Sequence, residues 1–357
     1  MHQVKSLDKL PPKSEKVETL KIFRQLSKSS KSLGELKGIA QTIPNQEMLI
    51  NAVVLQEAKD SSEIENIITT QDELYKALTT TEKQVPEVKE VINYRKAIFL
   101  GYTLLSKQGF LRLKDIEFLQ KTIIENNAGI RNIPGTVLKN DKTGEVVYMP
   151  PQDKEQILDL LGNFLEYFNL KQEDFPPLIN LAILHYQFES IHPFYDGNGR
   201  TGRILNILYL IINDLLDIPI LYLSSYINEN KTDYYRLLNK VNKTDEWEEY
   251  ILYILKAIEV TANRTINKIS TINELLFETI RIVQIKLPKT YKKELIELLF
   301  EQPYSKIEYV VKKLNVERKA ASRYLNKLEK IGIVTSKKIG REKIYINDKL
   351  IEILKKH

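Results

Sequence analysis

The chain has 357 residues, of which 43% are hydrophobic and 28% charged, a composition typical of a globular protein with two or three domains. It contains no cysteine, which excludes disulfides, thiolate metal ligands and thiol nucleophiles. The formal net charge of +6 is unevenly distributed, because residues 285–357 carry +10 and the remainder carries −4. A small basic C-terminal module on a slightly acidic body indicates a separate partner, often nucleic acid.

No segment predicts secretion or membrane insertion. The first 16 residues lack the apolar stretch of a signal peptide. The most apolar region, residues 204–227, is interrupted by two asparagines and two aspartates between positions 206 and 217. It falls short of the roughly 20 apolar residues that a membrane span needs, so it predicts a buried core helix. We therefore expect a cytoplasmic protein with no membrane partner.

Most of the chain predicts helices, and the expected fold class is mostly α. In residues 15–95, Leu20, Phe23 and Leu26 begin a helical periodicity that later apolar residues continue. Residues 96–265 continue in the same way, with one exception at 133–150. There, short apolar runs flank a polar turn that ends at Gly144, which predicts a β-hairpin.

Residues 190–203, SIHPFYDGNGRTGR, concentrate a base, a carboxylate, a glycine-rich loop and two arginines. The glycines also spell a G-x-G-x-x-G pattern, but its dinucleotide-binding meaning requires a preceding strand. Apolar residues recur every three or four positions over 178–191, which predicts a helix before the loop, and we expect a second helix to begin at about Arg200. Free backbone N–H groups at the start of that helix favour an anion, most simply a phosphate chain.

The same run resembles the signature of the Fic family, HPFx(D/E)GNGRxxR. Every fixed position is matched, by His192, Pro193, Phe194, Asp196, Gly197, Asn198, Gly199, Arg200 and Arg203. The resemblance implies a helical Fic core that transfers AMP from ATP to a Ser, Thr or Tyr hydroxyl of a protein, with Mg²⁺. The acceptor protein, which could be the enzyme itself, is not encoded in the motif.

The chemistry of the side chains fits those roles. A histidine with a pKa near 6.5 suits the general base that deprotonates a hydroxyl, so we assign this role to His192. Asp196 is a hard carboxylate suited to Mg²⁺. We expect His185 and Phe194 to be structural. The residues expected to bind the phosphates of ATP are Gly197, Asn198, Gly199, Arg200, Thr201, Gly202 and Arg203.

A second motif lies upstream, at residues 61–66. Ser62 and Glu65 have the S-x-x-E spacing of a capping box at a helix start. Ser61, Glu65 and Asn66 also resemble the inhibitory motif of the family, (S/T)xxxE(G/N), and the two interpretations are compatible. The resemblance implies that Glu65 pairs with Arg203 and blocks productive ATP binding. In some members this glutamate also positions water for the removal of AMP.

Two further features are implied by the resemblance. The hairpin at 133–150 matches the flap that aligns a target segment by strand addition, although an ordinary surface hairpin would give the same pattern. Tyr234, Tyr235 and Asn242 fall where family members contact adenine, although two tyrosines on a helix are more often part of the core.

The C-terminal residues predict two short helices joined by a tight turn, followed by strands at 333–335 and 343–346. This pattern resembles a winged helix, which would serve DNA binding, protein contacts or dimerisation. The basic and polar residues expected on its exposed face are Arg318, Lys319, Ser322, Arg323, Asn326, Lys327, Lys337, Lys338 and Arg341.

Together these patterns divide the chain into four regions. They are an N-terminal helical region (1–95, inhibitory motif 61–66), a Fic core (96–265, flap 133–150, signature 192–203), a linker helix (266–288) and a winged helix-turn-helix (289–357). An alternative function is a DNA-binding regulator that uses the Fic body as an ATP-sensing module. An intact catalytic set favours the enzyme, because a sensor would not need His192.

Overall fold

A computed structural model of the chain describes residues 7–43, 46–79, 84–139, 144, 146–170, 175–339 and 342–355. The predicted class is confirmed: the fold is mostly α, with one two-stranded and one three-stranded sheet among these residues. The helices are α1 (Ser14–Val17), α2 (Leu20–Ala40), α3 (Gln46–Ile64), α4 (Gln71–Thr79), α5 (Pro86–Gln108), α6 (Leu113–Ile124), α7 (Lys154–Asn169), α8 (Pro177–Ile191), α9 (Asn198–Ile212), α10 (Ser224–Glu229), α11 (Lys231–Thr244), α12 (Glu248–Lys286), α13 (Lys293–Glu301), α14 (Ile307–Leu314), α15 (Arg318–Lys330) and α16 (Asp348–Lys355). The strands are β1 (Leu138–Lys139), β2 (Val146–Tyr148), β3 (Tyr304–Ser305), β4 (Thr335–Ile339) and β5 (Glu342–Ile346).

The core is built around α8, which is buried on nearly all of its faces. A helix that is apolar all round must be surrounded by other elements, and α8 packs against α7, α9 and α12. The 39-residue α12 spans the molecule, and α2 packs along it. The buried side of α2 is formed by Ile22, Leu33 and Leu36, whereas Leu20 and Phe23 of the predicted stripe are exposed.

The prediction of one helix over 204–227 is wrong. The helix α9 ends at Ile212, Asp214 takes a left-handed conformation with φ of 55°, and the next helix begins at Ser224. The connecting residues Ile218, Ile220 and Leu221 are buried, so the chain stays apolar while it turns. Hydropathy alone could not reveal this break.

Two of the three predicted domain boundaries fall inside helices, and the third, at 288/289, lies between α12 and α13. The boundary at 95/96 lies within α5, and the boundary at 265/266 lies within α12. Apolar periodicity does not change where a continuous helix passes from one region to the next. The first clear interruption after α5 is Gly109, whose φ of 74° ends that helix.

The predicted hairpin is present. The strands β1 and β2 are antiparallel, with Leu138 opposite Tyr148. Tyr148 donates a hydrogen bond to the carbonyl oxygen of Ser190 (3.0 Å), which fixes the hairpin beside the end of α8. The turn of the predicted flap, residues 140–143, lies outside the described residues.

The C-terminal module contains α13 to α16 and a three-stranded antiparallel sheet in the order β3-β5-β4. A left-handed Asn315 ends α14, and α15 begins three residues later, which is the predicted tight turn between helices. The first strand of the predicted hairpin begins at Thr335 instead of Ile333, because the chain first leaves α15 through Gly332, whose φ is 76°. Residues 340 and 341 at the tip lie outside the described residues.

Across the described ranges of the chain, no helix is long and apolar enough to cross a membrane.

Candidate active site

The signature forms a loop between α8 and α9. Its geometry depends on two left-handed residues, His192 with φ of 48° and Gly197 with φ of 80°. A Cβ atom on Gly197 would lie 2.8 Å from Cγ1 of Ile124, so glycine is required for space as well as for conformation. The Asn198 side chain accepts a hydrogen bond from the Phe194 N–H and donates one to the Phe194 carbonyl, both at 2.8 Å. These contacts fix the loop, and α9 begins at Asn198, two residues before the predicted start.

A buried arginine that the sequence did not reveal supports this loop. The Nε atom of Arg131 donates to the carbonyl oxygen of His192 (2.7 Å), and its backbone N–H donates to the carbonyl of Pro193 (3.0 Å). Ile130 and Phe194 form a β-bridge at the same place. Phe194 is fully buried, as predicted. Arg131 belongs to no motif, so only its packing identifies it.

His192 is partly buried at the end of α8. Burial lowers its pKa to about 4, and the charge of Arg131 acts in the same direction. The ring is therefore neutral near pH 7 and able to accept a proton. Its Nδ1 atom has no hydrogen-bond partner among the described residues. By contrast, both ring nitrogens of the buried His185 are engaged, by Tyr234 (2.8 Å) and Asn206 (3.1 Å).

Asp196 lies on the outer side of the loop. Its side chain is 64% exposed, and its Oδ1 atom accepts a hydrogen bond from the N–H of Gly197 (2.6 Å). Within the part of the chain that the structure describes, no cluster of three or more acidic or histidine side chains could hold a metal ion. An ion at Asp196 would therefore need other ligands, such as phosphate oxygens and water.

Arg203 is enclosed by the last turn of α3 and the residue that follows it. Its Nε atom donates to the Ser61 hydroxyl (2.7 Å), and its Nη2 atom donates to the Ser61 carbonyl (2.9 Å) and to Oε1 of Glu65 (2.8 Å). The Arg203 side chain is only 3% exposed. Burial disfavours its charge, but the carboxylate of Glu65 outweighs this effect and raises the pKa of Arg203. The guanidinium is therefore held in its charged form.

The same contact perturbs Glu65. Burial would raise the pKa of this carboxyl, but the charge of Arg203 and its hydrogen bond hold that pKa below the ordinary value. Gly199 makes room for the pair, since a Cβ atom there would lie 2.5 Å from Oε1 of Glu65. Asn66 is exposed and left-handed, and its side-chain oxygen lies 3.4 Å from the Lys231 amine.

The predicted capping box is wrong. Ser61 and Ser62 lie in the last turn of α3, which ends at Ile64, and not at a helix start. The Ser62 hydroxyl donates to the carbonyl of Ala58 (2.8 Å) instead of accepting from a first-turn N–H. An S-x-x-E spacing reads identically at either end of a helix, so the sequence alone could not decide.

The remaining signature residues of α9 have different surroundings. Arg200 is buried, with its Nη1 atom 2.6 Å from a carboxylate oxygen of Glu90, a partner that no motif predicted. Thr201 is fully buried, and its hydroxyl has no partner within the described residues. Gly202 faces Glu189 of α8, since a Cβ atom at Gly202 would lie 2.6 Å from Oε1 of that carboxylate.

The predicted adenine contacts divide into three environments. Tyr234 is buried and its hydroxyl bonds to His185, whereas Tyr235 is about half exposed. The side-chain oxygen of Asn242 accepts hydrogen bonds from Tyr186 (2.6 Å) and Ser190 (3.3 Å). Asn242 also lines a cavity of about 210 Å³ beside Tyr148. An adenine contact by these residues stays a prediction.

Three family models match the chain. They are described as Fic/DOC family N-terminal (residues 23–103), Fic/DOC family (110–210) and protein adenylyltransferase SoFic-like, C-terminal domain (275–350). Together they cover more than two thirds of the residues, and the first two meet close to the end of α5. The chain belongs to the Fic/DOC family.

Curated relatives and solved structures agree with this assignment. A probable protein adenylyltransferase of Aquifex aeolicus is 30% identical over 51% of this chain and 55% of its own length. Protein adenylyltransferase Fic of Aedes aegypti is 30% identical over 34% of this chain, which covers 24% of that protein. The chain thus spans from a quarter to about half of these relatives. A Fic family protein from Desulfovibrio desulfuricans has the same fold, with a TM-score of 0.60, 18% identity and coverage of 94% of this chain and 98% of that one.

The loop geometry generates a stability prediction. Gly197→Ala should lower the free energy of unfolding by more than about 1 kcal/mol, because the new Cβ meets Ile124 and the backbone must keep a positive φ. Gly162→Ala in α7 is the matched control. No atom lies within 4 Å of its Cβ position, so this change should stabilise the protein by about 0.5–1 kcal/mol. Urea unfolding measures both, and equal effects would contradict the strained-loop interpretation.

Proposed function

We propose that this protein transfers AMP from ATP to a Ser, Thr or Tyr hydroxyl of a protein substrate. The observation that carries the proposal is the partly buried, neutral His192 beside Asp196 and the first turn of α9. The names of the curated relatives support the same reaction.

In the proposed reaction, His192 accepts the proton of the attacking hydroxyl. The hydroxyl oxygen forms a bond to the α-phosphorus of ATP, and the bond from that phosphorus to the bridging oxygen breaks, so that pyrophosphate leaves. The first-turn N–H groups of α9 have no intrahelical partners and can donate to the phosphate oxygens on which charge develops. The neutral form of His192 at neutral pH suits this role.

Mg²⁺ fits Asp196 by the chemistry of the site. The carboxylate is exposed at the mouth of the loop, and Mg²⁺ usually takes one or two carboxylates together with substrate phosphates and water. When bound, the ion would neutralise phosphate charge as the pyrophosphate departs.

The ion pair between Glu65 and Arg203 is the proposed inhibitory contact. A buried guanidinium that is bonded to Ser61 and Glu65 is not available to the γ-phosphate of ATP. Release of Glu65 would free Arg203 to bind phosphate by charge-assisted hydrogen bonds. Arg200 would assist on the same side of α9, and Asn66 would end the inhibitory segment. In the reverse direction, Glu65 could position water for removal of AMP.

The other proposed parts are accessory. The hairpin of β1 and β2 would hold a target segment by strand addition, with Tyr235 and Asn242 near the adenine. The order of α13 to α15 with the β4–β5 hairpin supports a winged helix, and the exposed Arg318, Lys319 and Arg323 would suit DNA phosphates. We also propose that the protein is a cytoplasmic homodimer. Its protein substrate includes a second copy of the enzyme or the same chain, which is autoAMPylation.

Labelled ATP tests the reaction directly. Glu65→Gly should raise AMP incorporation at least tenfold, because Arg203 loses the carboxylate that competes with phosphate. A tenfold gain corresponds to about 1.4 kcal/mol. Label should be retained from α-labelled ATP and not from γ-labelled ATP. His192→Ala in the Glu65→Gly background is the matched control and should abolish transfer.

Three results would each overturn a separate part. Retention of only the γ label would show that the protein transfers phosphate and not AMP. An unchanged rate for Glu65→Gly would remove the inhibitory role of Glu65. Full activity of the His192→Ala control would remove the base assignment, and it would favour the alternative in which the Fic body only senses ATP.

DNA binding by the full chain is tested by its salt dependence. Affinity for random-sequence duplex DNA should fall steeply between 50 and 200 mM salt, and the triple change Arg318→Gln, Lys319→Gln, Arg323→Gln should reduce the slope by about 1 per lost phosphate contact. The control removes three exposed charges from α2, at Arg24, Lys28 and Lys31. Equal losses in the two variants would refute a specific DNA-binding face.

A further inference from the structure

Glu189 is a carboxylate of α8 that the reaction described above does not use. It lies three residues before His192, and its Oε1 atom faces Gly202 of α9. That oxygen is buried and has no hydrogen-bond partner among the described residues. An unsatisfied buried carboxylate oxygen is unfavourable, which suggests that its partner is engaged elsewhere in this state.

The charges around Glu189 identify that partner. Burial raises the pKa of this carboxyl to about 7, Arg203 opposes the shift, and the negative charge of Glu65 adds to it. The other titratable groups that face Glu189 are Tyr234 of α11, Tyr250 of α12 and His192, which directly follows α8. Burial raises the pKa values of both phenols, so the two tyrosines stay neutral. Arg203 is therefore the cation that acts on Glu189, and Glu65 competes for it.

Release of the inhibitory segment changes this balance. Both side-chain partners of Arg203, Ser61 and Glu65, lie on that segment and would leave together. A buried guanidinium without a counter-ion is strongly unfavourable. Glu189 lies on α8, outside that segment, and stays behind.

We propose that Glu189 is the second carboxylate partner of Arg203, a positioning residue that becomes the counter-ion when Glu65 leaves and orients the guanidinium toward the phosphates of ATP. This proposal rests on the proposed function of the site. It also accounts for Gly202, because any side chain there would displace the carboxylate.

Calorimetric titration of ATP into the Glu65→Gly variant tests the proposal by binding alone, without requiring AMP transfer. In the Glu65→Gly background, Glu189→Gln should weaken ATP binding about tenfold at pH 8. The loss should shrink as the pH falls through the pKa of Glu189, which pairing with Arg203 and removal of the Glu65 charge lower from the value of about 7 that holds while Glu65 is present. The sign is diagnostic: simple repulsion between Glu189 and phosphate would make the glutamine variant bind more tightly. Glu63→Gln, which removes an exposed carboxylate paired with Lys59, should leave the affinity unchanged.

Unchanged or tighter binding at pH 8, or a loss that does not depend on pH, would overturn the role of Glu189. Should the glutamine variant fail to fold, Glu189→Asp keeps the charge on a shorter side chain. This variant should bind ATP more weakly than Glu65→Gly alone and keep its pH dependence, and the loss of that dependence would be contrary evidence. Failure of AMP transfer in every variant would instead count against the proposed function.

A separate observation concerns the other end of the inhibitory helix. The helix α3 has 19 residues, so it is about 28.5 Å long. Its last turn and the residue that follows carry Ser61 and Glu65 into the active site, and it also packs against α13 and α16 of the C-terminal module. The single helix α3 therefore contacts both the catalytic site and the C-terminal module.

Specific contacts join that module to the inhibitory region. The Tyr304 hydroxyl donates to a carboxylate oxygen of Asp72 in α4 (2.5 Å), and its ring stacks on Tyr75 at 5.2 Å between centroids. Gln71 donates to the carbonyl of Leu354 in α16 (3.3 Å) and also to Gln56 of α3. Glu57 of α3 also accepts hydrogen bonds from Tyr94 of α5 (3.1 Å) and from Ser224 of α10.

We infer that the C-terminal module helps to hold α3 in its inhibiting position. A change in how the module packs against α3 would then release Glu65 from Arg203. Contacts from α5 and α10 and contacts from α13 and α16 of the module therefore hold α3 in place together. The module is thus an input to the proposed switch, and this inference rests on the proposed function.

The pair Tyr304→Phe and Gln71→Ala removes both polar contacts and leaves most of the packing. With Glu65 present, the double variant should transfer AMP several-fold faster, and amide exchange over residues 57–65 should accelerate. In the Glu65→Gly background the double variant should not raise the rate of AMP transfer further. Tyr324→Phe, which removes another partly buried hydroxyl in the module, is the control and should change neither rate.

An equal gain with and without Glu65 would contradict coupling through the inhibitory helix, and so would unchanged exchange over residues 57–65. If Glu65→Gly itself fails to activate, the proposed function is at fault, and amide exchange still decides whether the module restrains α3.

Discussion

The ion pair between Arg203 and Glu65 is the contact on which the proposed behaviour of the site depends. The pair matters because Arg203 is buried: a guanidinium that is only 3% exposed is strongly unfavourable without a counter-ion. Arg203 therefore exchanges one anion for another and does not stay unpaired. A carboxylate holds it in this structure, and a phosphate would hold it during catalysis. In the proposed function, inhibition and substrate binding therefore compete for the same cation.

The backbone makes this competition possible. The left-handed His192 and Gly197 fold the signature into a loop, and Gly199 and Gly202 leave room for two carboxylates beside α9. Arg131 fixes the same loop from the flap side through the carbonyl of His192. His192, the exposed Asp196 and the N-terminus of α9 thus share one loop, while Glu65 lies on a separate part of the chain, directly after α3.

The sequence predicted the parts of the site that are local in the chain. The signature identified His192 and Asp196, and the helix-loop-helix around them is confirmed. The pairing of Glu65 with Arg203 followed from a resemblance, since 138 positions separate the two residues. Arg131, Glu90 and Glu189 were missed because their roles arise from packing between distant segments. The break in the apolar run after Ile212 was missed because the turn itself is buried, and the capping box was wrong because its spacing does not distinguish a helix start from a helix end.

The most direct test of the competition is a crystal structure of the Glu65→Gly variant with Mg²⁺ and a non-hydrolysable ATP analogue. The account predicts the Arg203 guanidinium within about 3.2 Å of γ-phosphate oxygens. It would be contradicted by an Arg203 that stays bonded to Ser61 while the triphosphate binds elsewhere.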